Sequence, residues 1–300
     1  MKILKTFLLI LLSAMFLTFS FMYISILGIE RTLLNQDYYE GLVYEVDVFA
    51  DVHENLIGIF PEQTETADSN EFETLVTETL IDTISKNWLE EQFLNITKDL
   101  LGYIKGDNED ITASIDLKPQ KKLLVDNLIE ELQNTDKVHD ELPELQPEVI
   151  ASDITEESDL PDEIYLNEVL EEPLTAIEAE IDTVRTARDY FHIGSYVFFG
   201  IMLLLMCLLA GISSGLKCYG INMIVPGVAY AGSFFLFKNI IDISTFNISE
   251  DIPITSQTIF AIFEYTINHF IEIGVVYATI GILITLLGFL LGKKKRKREN

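Results

Sequence analysis

Cysteine is scarce in this chain, and its two cysteines, Cys207 and Cys218, both lie in the apolar second half. The long acidic stretch before them contains none. A secreted animal domain of that length usually carries disulfides, so the pattern favours a bacterial or archaeal surface protein. The four histidines are scattered, without the spacing of a zinc site. The sequence therefore predicts no metal, no cofactor and no catalytic residue.

Basic residues are also few, and their scarcity is concentrated in one segment. Residues 29–190 contain 42 acidic and 10 basic side chains, out of 48 and 20 in the 300-residue chain. A surface of that charge repels phosphate, which excludes nucleic acid as a partner. The rest of the chain is mostly apolar with a small excess of bases. This separation predicts a charged aqueous region between membrane segments.

Long apolar runs are what the sequence has in abundance. A bilayer is crossed by roughly 20 apolar residues in a helix, and an open sheet cannot satisfy its backbone in lipid. Four runs reach that length and predict an all-α membrane protein with transmembrane helices at residues 6–28, 191–215 and 221–241 and within a long helix at 258–292. The first run is too long for a signal peptide and lacks a small-residue cleavage site, so we expect an uncleaved anchor.

Positive charge in the short loops predicts the orientation, because cations remain on the cytoplasmic side. Lys2 and Lys5 lie in the predicted cytoplasmic segment 1–5, and Lys217 lies in the predicted turn 216–220. The acidic region and the loop 242–257 then lie outside, in a plasma-membrane protein with both termini cytoplasmic. The tail 293–300 is cytoplasmic, and its cations are expected to contact anionic lipid head groups: Lys293, Lys294, Lys295, Arg296, Lys297 and Arg298. A specific lipid or partner role for this tail is the alternative.

The acidic region itself has mainly helical periodicity. Residues 29–135 are predicted as a helical extracytoplasmic domain, with a capping box at Asn70 and Glu73 and a helix around Trp88 that ends at Gly106. A short strand at 111–117 and a helix after Pro119 complete it. Residues 136–173 are predicted to form an acidic, proline-containing loop. Residues 174–190, led by Pro173, are predicted as a stalk helix paired with an extension of the first span.

Several short patterns in this region resemble a group of uncharacterised prokaryotic membrane proteins. The similar residues, within roughly 30–130, are Asp37-Tyr38-Tyr39, Val43-Tyr44, Trp88-Leu89, Gln92, Tyr103-Ile104-Lys105-Gly106 and Ile115-Asp116-Leu117 before Lys118. The resemblance implies an extracytoplasmic helical domain between the first and second transmembrane helices and a prokaryotic cell envelope. It implies no mechanism.

The fourth span carries a periodic row of small residues. Steps of four and three separate Gly274, Ala278, Gly281, Thr285, Gly288 and Gly292, and this spacing predicts close packing against another helix. Shorter small faces occur at Gly227 and Ala231, and at Gly200, Cys207 and Gly211. Ahead of the row, polar residues predict an outer vestibule or a polar face at head-group depth: Lys238, Glu264, Asn268, His269 and Glu272.

Two functional hypotheses follow from these patterns. The first is a non-enzymatic envelope protein, embedded in the lipid bilayer, whose outer module binds a protein partner or self-associates. The second is a channel or transporter component formed by the four helices, as one chain or an oligomer. The acidic turn Asp107-Asn108-Glu109-Asp110 is a solvated turn or, as the weaker alternative, a calcium ligand set without EF-hand spacing.

Overall fold

The structure, a computed structural model, describes residues 2–54, 79, 82–134, 161–241 and 254–299. Its helices and strands are, in chain order, α1 (Lys2–Thr32), α2 (Gln36–Tyr44), α3 (Lys86–Lys105), β1 (Ser114–Asp116), α4 (Lys118–Asn134), β2 (Glu163–Tyr165), α5 (Leu166–Ala210), α6 (Ile212–Ile240) and α7 (Ser256–Glu299). The chain divides into two compact units. The membrane unit contains residues 1–38, 180–246 and 260–300, and the second unit contains residues 39–179 and 247–259.

Four helices are long and apolar enough to cross a bilayer, which confirms the prediction of an integral, multi-pass membrane protein. They are the segments Ile3–Thr32, Ala176–Ala210, Ile212–Ile240 and Ser256–Lys293. Their shared core is built from large side chains: Phe16 and Ile24 of α1, Met202 and Met206 of α5, Tyr219, Met223 and Tyr230 of α6, and Ile273 and Tyr277 of α7. Helices of this kind satisfy their own backbone groups, as the hydrocarbon core requires.

The turn between the second and third spans differs from the prediction. It lies at Gly211, not at residues 216–220, which are helical within α6. Gly211 has φ +83°, a conformation that favours glycine because no Cβ is present. A Cβ on Gly215 would lie 2.5 Å from the Cα of Cys207, so this second glycine lets α6 fold back against the end of α5. The prediction placed the turn a few residues later, at Lys217, because it followed the position of the cation and not the Gly211-to-Gly215 segment, which contains Ser213 and Ser214.

Helix α5 also begins earlier than expected, at Leu166. Pro173 was predicted to open a stalk helix, but it lies inside α5. Because proline has no N–H, α5 lacks the intrahelical hydrogen bond to the carbonyl four residues earlier. The start is fixed by the sheet instead, since the Leu166 N–H donates to the Ala113 carbonyl over 3.0 Å.

The ends of the other two long helices also differ in detail. Helix α1 ends at Thr32 instead of continuing towards Tyr38, and a turn separates it from α2. Helix α7 continues through the basic tail to Glu299, so the predicted boundary at residue 292 is not a helix end. The four-lysine-and-two-arginine segment thus extends the fourth span as helix.

The described parts of the second unit follow the predicted periodicity. Helix α3 begins after Ser85, whose hydroxyl accepts from the Trp88 N–H, and it ends at Gly106 in the left-handed conformation. Strand β1 lies within the predicted segment and pairs antiparallel with β2, Ile115 opposite Ile164. Helix α4 buries Leu124 and Leu128. The capping box at Asn70 and most of the loop 136–173 lie outside the described residues.

Candidate functional site

The row of small residues on α7 lies against α6. A Cβ on Gly274 would be 2.8 Å from the Ala231 backbone nitrogen, and one on Gly281 would be 2.7 Å from the Gly220 carbonyl oxygen. A Cβ on Gly220 of α6 would lie similarly close to the Thr285 backbone nitrogen, and one on Gly227 would lie similarly close to the Ala278 backbone nitrogen. Gly288 and Gly292 complete the row against Ser213, whose hydroxyl donates to the Gly288 carbonyl over 2.8 Å. The two backbones therefore touch along most of the span.

The small face proposed for the second span is different. A Cβ on Gly200 would meet nothing within 4 Å. Gly211 forms the turn between α5 and α6, and the backbone of Cys207 packs against Gly215. Among the described residues, these three positions do not form one continuous helix-packing surface.

The predicted vestibule residues divide into two groups. The Lys238 ammonium lies 3.1 Å from the Asn268 side-chain oxygen and 3.3 Å from a Glu264 carboxylate oxygen, which joins the ends of α6 and α7. His269 and Glu272 lie apart from this cluster and line a cavity. The His269 ring packs edge-on against Tyr38, and its Nδ1 lies 3.0 Å from the Tyr265 carbonyl oxygen.

A cavity of about 600 Å³ lies within the membrane unit. Three helices contribute stripes at helical spacing: Tyr23, Leu27 and Arg31 of α1, His192, Tyr196 and Phe199 of α5, and His269, Glu272, Val276 and Ile280 of α7. Each stripe is polar at one end and apolar or aromatic at the other. The polar ends coincide, because α5 and α7 enter the unit where α1 leaves it. Asn35 and Asp37 add to this polar mouth, and Tyr219, Met223, Ile273 and Tyr277 add to the apolar part.

One side of the mouth is held by an ionic cluster that the sequence analysis missed. Glu30 of α1 accepts a hydrogen bond of 2.9 Å from Arg188 and lies 2.8 Å from the ring nitrogen of His192, both on α5. The Glu30 side chain is mostly buried. Charge-assisted hydrogen bonds in such a setting fix the spacing of two helices. Only the mixed signs of these end-of-span residues could have indicated the pairing.

Polar side chains deep in the spans also pair with one another. The Tyr277 hydroxyl donates to Ser20 over 2.9 Å, and Asn222 donates to the Ser13 hydroxyl over 3.0 Å. Cys218 lies 3.7 Å from Ser13. These contacts connect α1 to α6 and α7, and they satisfy groups that lipid could not. They were not predicted, because the apolar pattern of each run obscures isolated polar residues.

In the second unit, carboxylates join distant parts of the chain. Asp99 of α3 accepts from Asn108 and from the backbone N–H groups of Thr112 and Ala113, so it fixes the acidic turn. Asp51 accepts from the hydroxyls of Thr255 and Thr258, and these hydrogen bonds lower the pKa of Asp51. Hydrogen bonds from Tyr165 and Lys118 likewise lower the pKa of Glu163.

The acidic turn forms no ligand geometry among the described residues. Among the described residues, no group of three or more His, Cys, Asp or Glu side chains is arranged to hold a metal. Asp107, Glu109 and Asp110 are exposed. In the tail, Lys293 is exposed, and the side chains that follow lie outside the described part of the structure.

Comparisons of the chain with protein-family models, with curated proteins and with solved structures found no match. The resemblance to prokaryotic membrane proteins therefore stays a prediction.

Proposed function

We propose that this chain is a non-enzymatic integral membrane protein of the cell envelope, whose acidic segment 29–190 lies outside and binds a protein partner. The observation that carries this proposal is the partition of charge between the two parts of the chain. The acidic segment holds 42 of the 48 carboxylates, far more than its few bases can pair. A field of one sign attracts a cationic partner and accelerates encounter with it.

The proposed orientation is supported by the position of the cations in the membrane unit. The Lys217 ammonium lies 4.1 Å from the centre of the Phe289 ring, so the start of α6 and the end of α7 lie at one basic end. Ser13 of α1 is at the same end as Cys218 of α6, which brings Lys2 and Lys5 there too. All of these cations would then face the cytoplasm.

The non-enzymatic role is supported by what the described carboxylates do. Asp51 and Asp99 accept hydrogen bonds that connect chain segments, which is a structural use. Asp107, Glu109 and Asp110 form no ion pair in the described part of the chain and leave their charge at the surface. Such residues supply long-range attraction more than chemistry.

Crosslinking of the full-length protein in intact membranes, followed by mass spectrometry, tests this proposal. We expect a reproducible protein partner, captured several-fold less by the triple variant Asp107→Asn, Glu109→Gln, Asp110→Asn. The matched control removes three cations of the same unit, Lys98→Gln, Lys105→Gln and Lys122→Gln, and should capture at least as much. Equal loss in both variants, or no partner at all, would contradict the proposal.

One observation favours the alternative, a channel or transporter component. The cavity runs from a charged mouth into the spans, as a transport pathway would. Its distal residues Tyr219 and Met223 are buried, and the α6–α7 contact beyond them is closed by backbone. Ion flux through liposomes containing only this protein would establish transport, and its absence with correctly inserted protein would leave the interaction role.

A further inference from the structure

The cavity combines features that point to one class of ligand. From Glu272 to Ile280 along α7, and from Arg31 to Tyr23 along α1, it changes from charged to apolar over about 12 Å of helix. A volume of about 600 Å³ is within the range of small-molecule sites, which are roughly 300–1,000 Å³. A ligand that fits such a gradient has a polar head and a hydrocarbon chain.

The cavity also opens towards the membrane. Tyr196, Val276 and Ile280 line it and are nevertheless 67%, 52% and 43% exposed in segments that belong to the spans. Exposed apolar side chains within a span face lipid. The chain of an amphiphile can therefore enter sideways from the bilayer, while its head remains at the membrane surface where the spans end.

The mouth carries charges of both signs. Arg31 is exposed and makes no ion pair among the described residues, and the same holds for the Asp37 and Glu272 carboxylates. His192 is already bonded to Glu30. Arginine binds phosphate with paired hydrogen bonds, and a carboxylate pairs with an ammonium group. One cation beside two carboxylates complements a head group that contains both a phosphate and an amine.

We propose that this cavity binds one zwitterionic glycerophospholipid, with its phosphate at Arg31, its amine at Glu272 and Asp37, and an acyl chain extending to Val276 and Ile280. The site belongs to the membrane unit alone, so it does not depend on whether the acidic segment binds a partner. It gives the four-helix unit a role beyond anchoring, namely selection of a lipid from the surrounding bilayer.

Native mass spectrometry of the full-length, delipidated protein tests this site. The protein is titrated with phosphatidylethanolamine, with phosphatidylglycerol of identical chains, and with soluble phosphoethanolamine. We expect one retained phosphatidylethanolamine, bound at least tenfold more tightly than phosphatidylglycerol, and no retained phosphoethanolamine. Equal binding of the two lipids would mean nonspecific lipid contact, and tight binding of the soluble head would mean a water-soluble ligand. Either result overturns the proposal.

Variants separate the head contacts from the chain contacts. Val276→Trp and Ile280→Trp should fill the apolar part and reduce binding about tenfold, whereas Leu283→Trp, on the same helix outside the cavity, should not. Glu272→Gln should shift the preference towards phosphatidylglycerol. A thermal melt of each variant without lipid establishes that it is folded. Retention unchanged in both cavity variants, or a preference unchanged in Glu272→Gln, would contradict the proposed placement.

Discussion

Two faces of helix α7 pack differently: a closed face against α6 and an open face that lines the cavity. Towards α6 it presents small residues, and the two backbones are in contact. A Cβ on Gly281 would lie only 2.7 Å from the Gly220 carbonyl oxygen. Towards α1 and α5 it presents larger side chains, and a cavity of about 600 Å³ remains. In lipid, where helices gain little from burying apolar surface, close contact and space are both set by side-chain size.

Aromatic pairs join the helices around the cavity. Phe16 of α1 meets Tyr219 of α6 edge-on at 4.8 Å between ring centres, and Tyr23 of α1 meets Phe199 of α5 at 5.1 Å. Such pairs prefer offset or edge-on geometry over flush stacking. One helix, α7, therefore forms both a close contact with α6 and one wall of the cavity.

The largest expected effect comes from breaking the closed face. Gly281→Leu places a branched side chain against the backbone of α6, where neither helix can move without losing the whole row of contacts. We expect a loss of roughly 1–3 kcal/mol in the free energy of unfolding, measured by denaturant titration of the protein in detergent.

The control for this variant is Gly200→Leu, because its Cβ meets nothing within 4 Å. It should change the free energy of unfolding by less than about 0.5 kcal/mol. If both variants lose the same stability, the small-residue row is not a special contact and the contrast between the two faces fails.

A smaller effect on the free energy of unfolding is expected at the polar mouth of the cavity. Glu30→Gln leaves Arg188 and His192 without their carboxylate, which weakens the link between α1 and α5. We expect a loss of about 1–2 kcal/mol, since hydrogen bonds to charged groups contribute roughly that much when partly buried.

A double-mutant cycle with Arg188→Gln isolates the Glu30 contact, with stability measured by the same titration. The two substitutions should be non-additive, because each removes one partner of the same bond. Strict additivity would show that Glu30 and Arg188 do not stabilise the membrane unit through each other.

The smallest effect concerns the second unit and has a defined pH dependence. The Thr255 and Thr258 hydroxyls lower the pKa of Asp51 in the folded protein. The resulting stability is therefore complete above about pH 4, the usual unfolded value, and is lost as pH falls through the lowered pKa. Thermal melts of the wild type and Asp51→Asn should differ at pH 6 and converge at lower pH. A difference independent of pH would contradict the hydrogen-bonded carboxylate.

Much of this fold follows from local patterns, and what was missed depends on distant contacts. Apolar length predicts the four spans, and capping predicts the end of α3 at Gly106. The turn at Gly211 was missed because the prediction placed it at the cation Lys217, although Ser213, Ser214 and Gly215 follow Gly211 directly. The cavity was also missed, because the spacing of residues on one helix does not indicate which residues of the other helices line a cavity with it.

The site residues show the same limit. The spacing of the small residues indicates a contact face but not its partner, which is α6. Lys238 contacts Glu264 and Asn268, two of the residues that the sequence analysis grouped with it. Glu30 is separated from Arg188 and His192 by more than 150 residues along the chain, and only their opposite charges at the ends of two spans indicate that they could meet.

The proposed partition places the acidic segment on one side of the membrane and the basic ends on the other, and the proposed partner binding depends on it. Its direct test uses a background with Cys207→Ala and Cys218→Ser, to which Glu109→Cys or Lys297→Cys is added, and a membrane-impermeant maleimide applied to intact cells. We predict that Glu109→Cys is labelled at once and Lys297→Cys only after permeabilisation. Labelling of Lys297→Cys alone in intact cells would contradict the orientation and the extracytoplasmic role built on it.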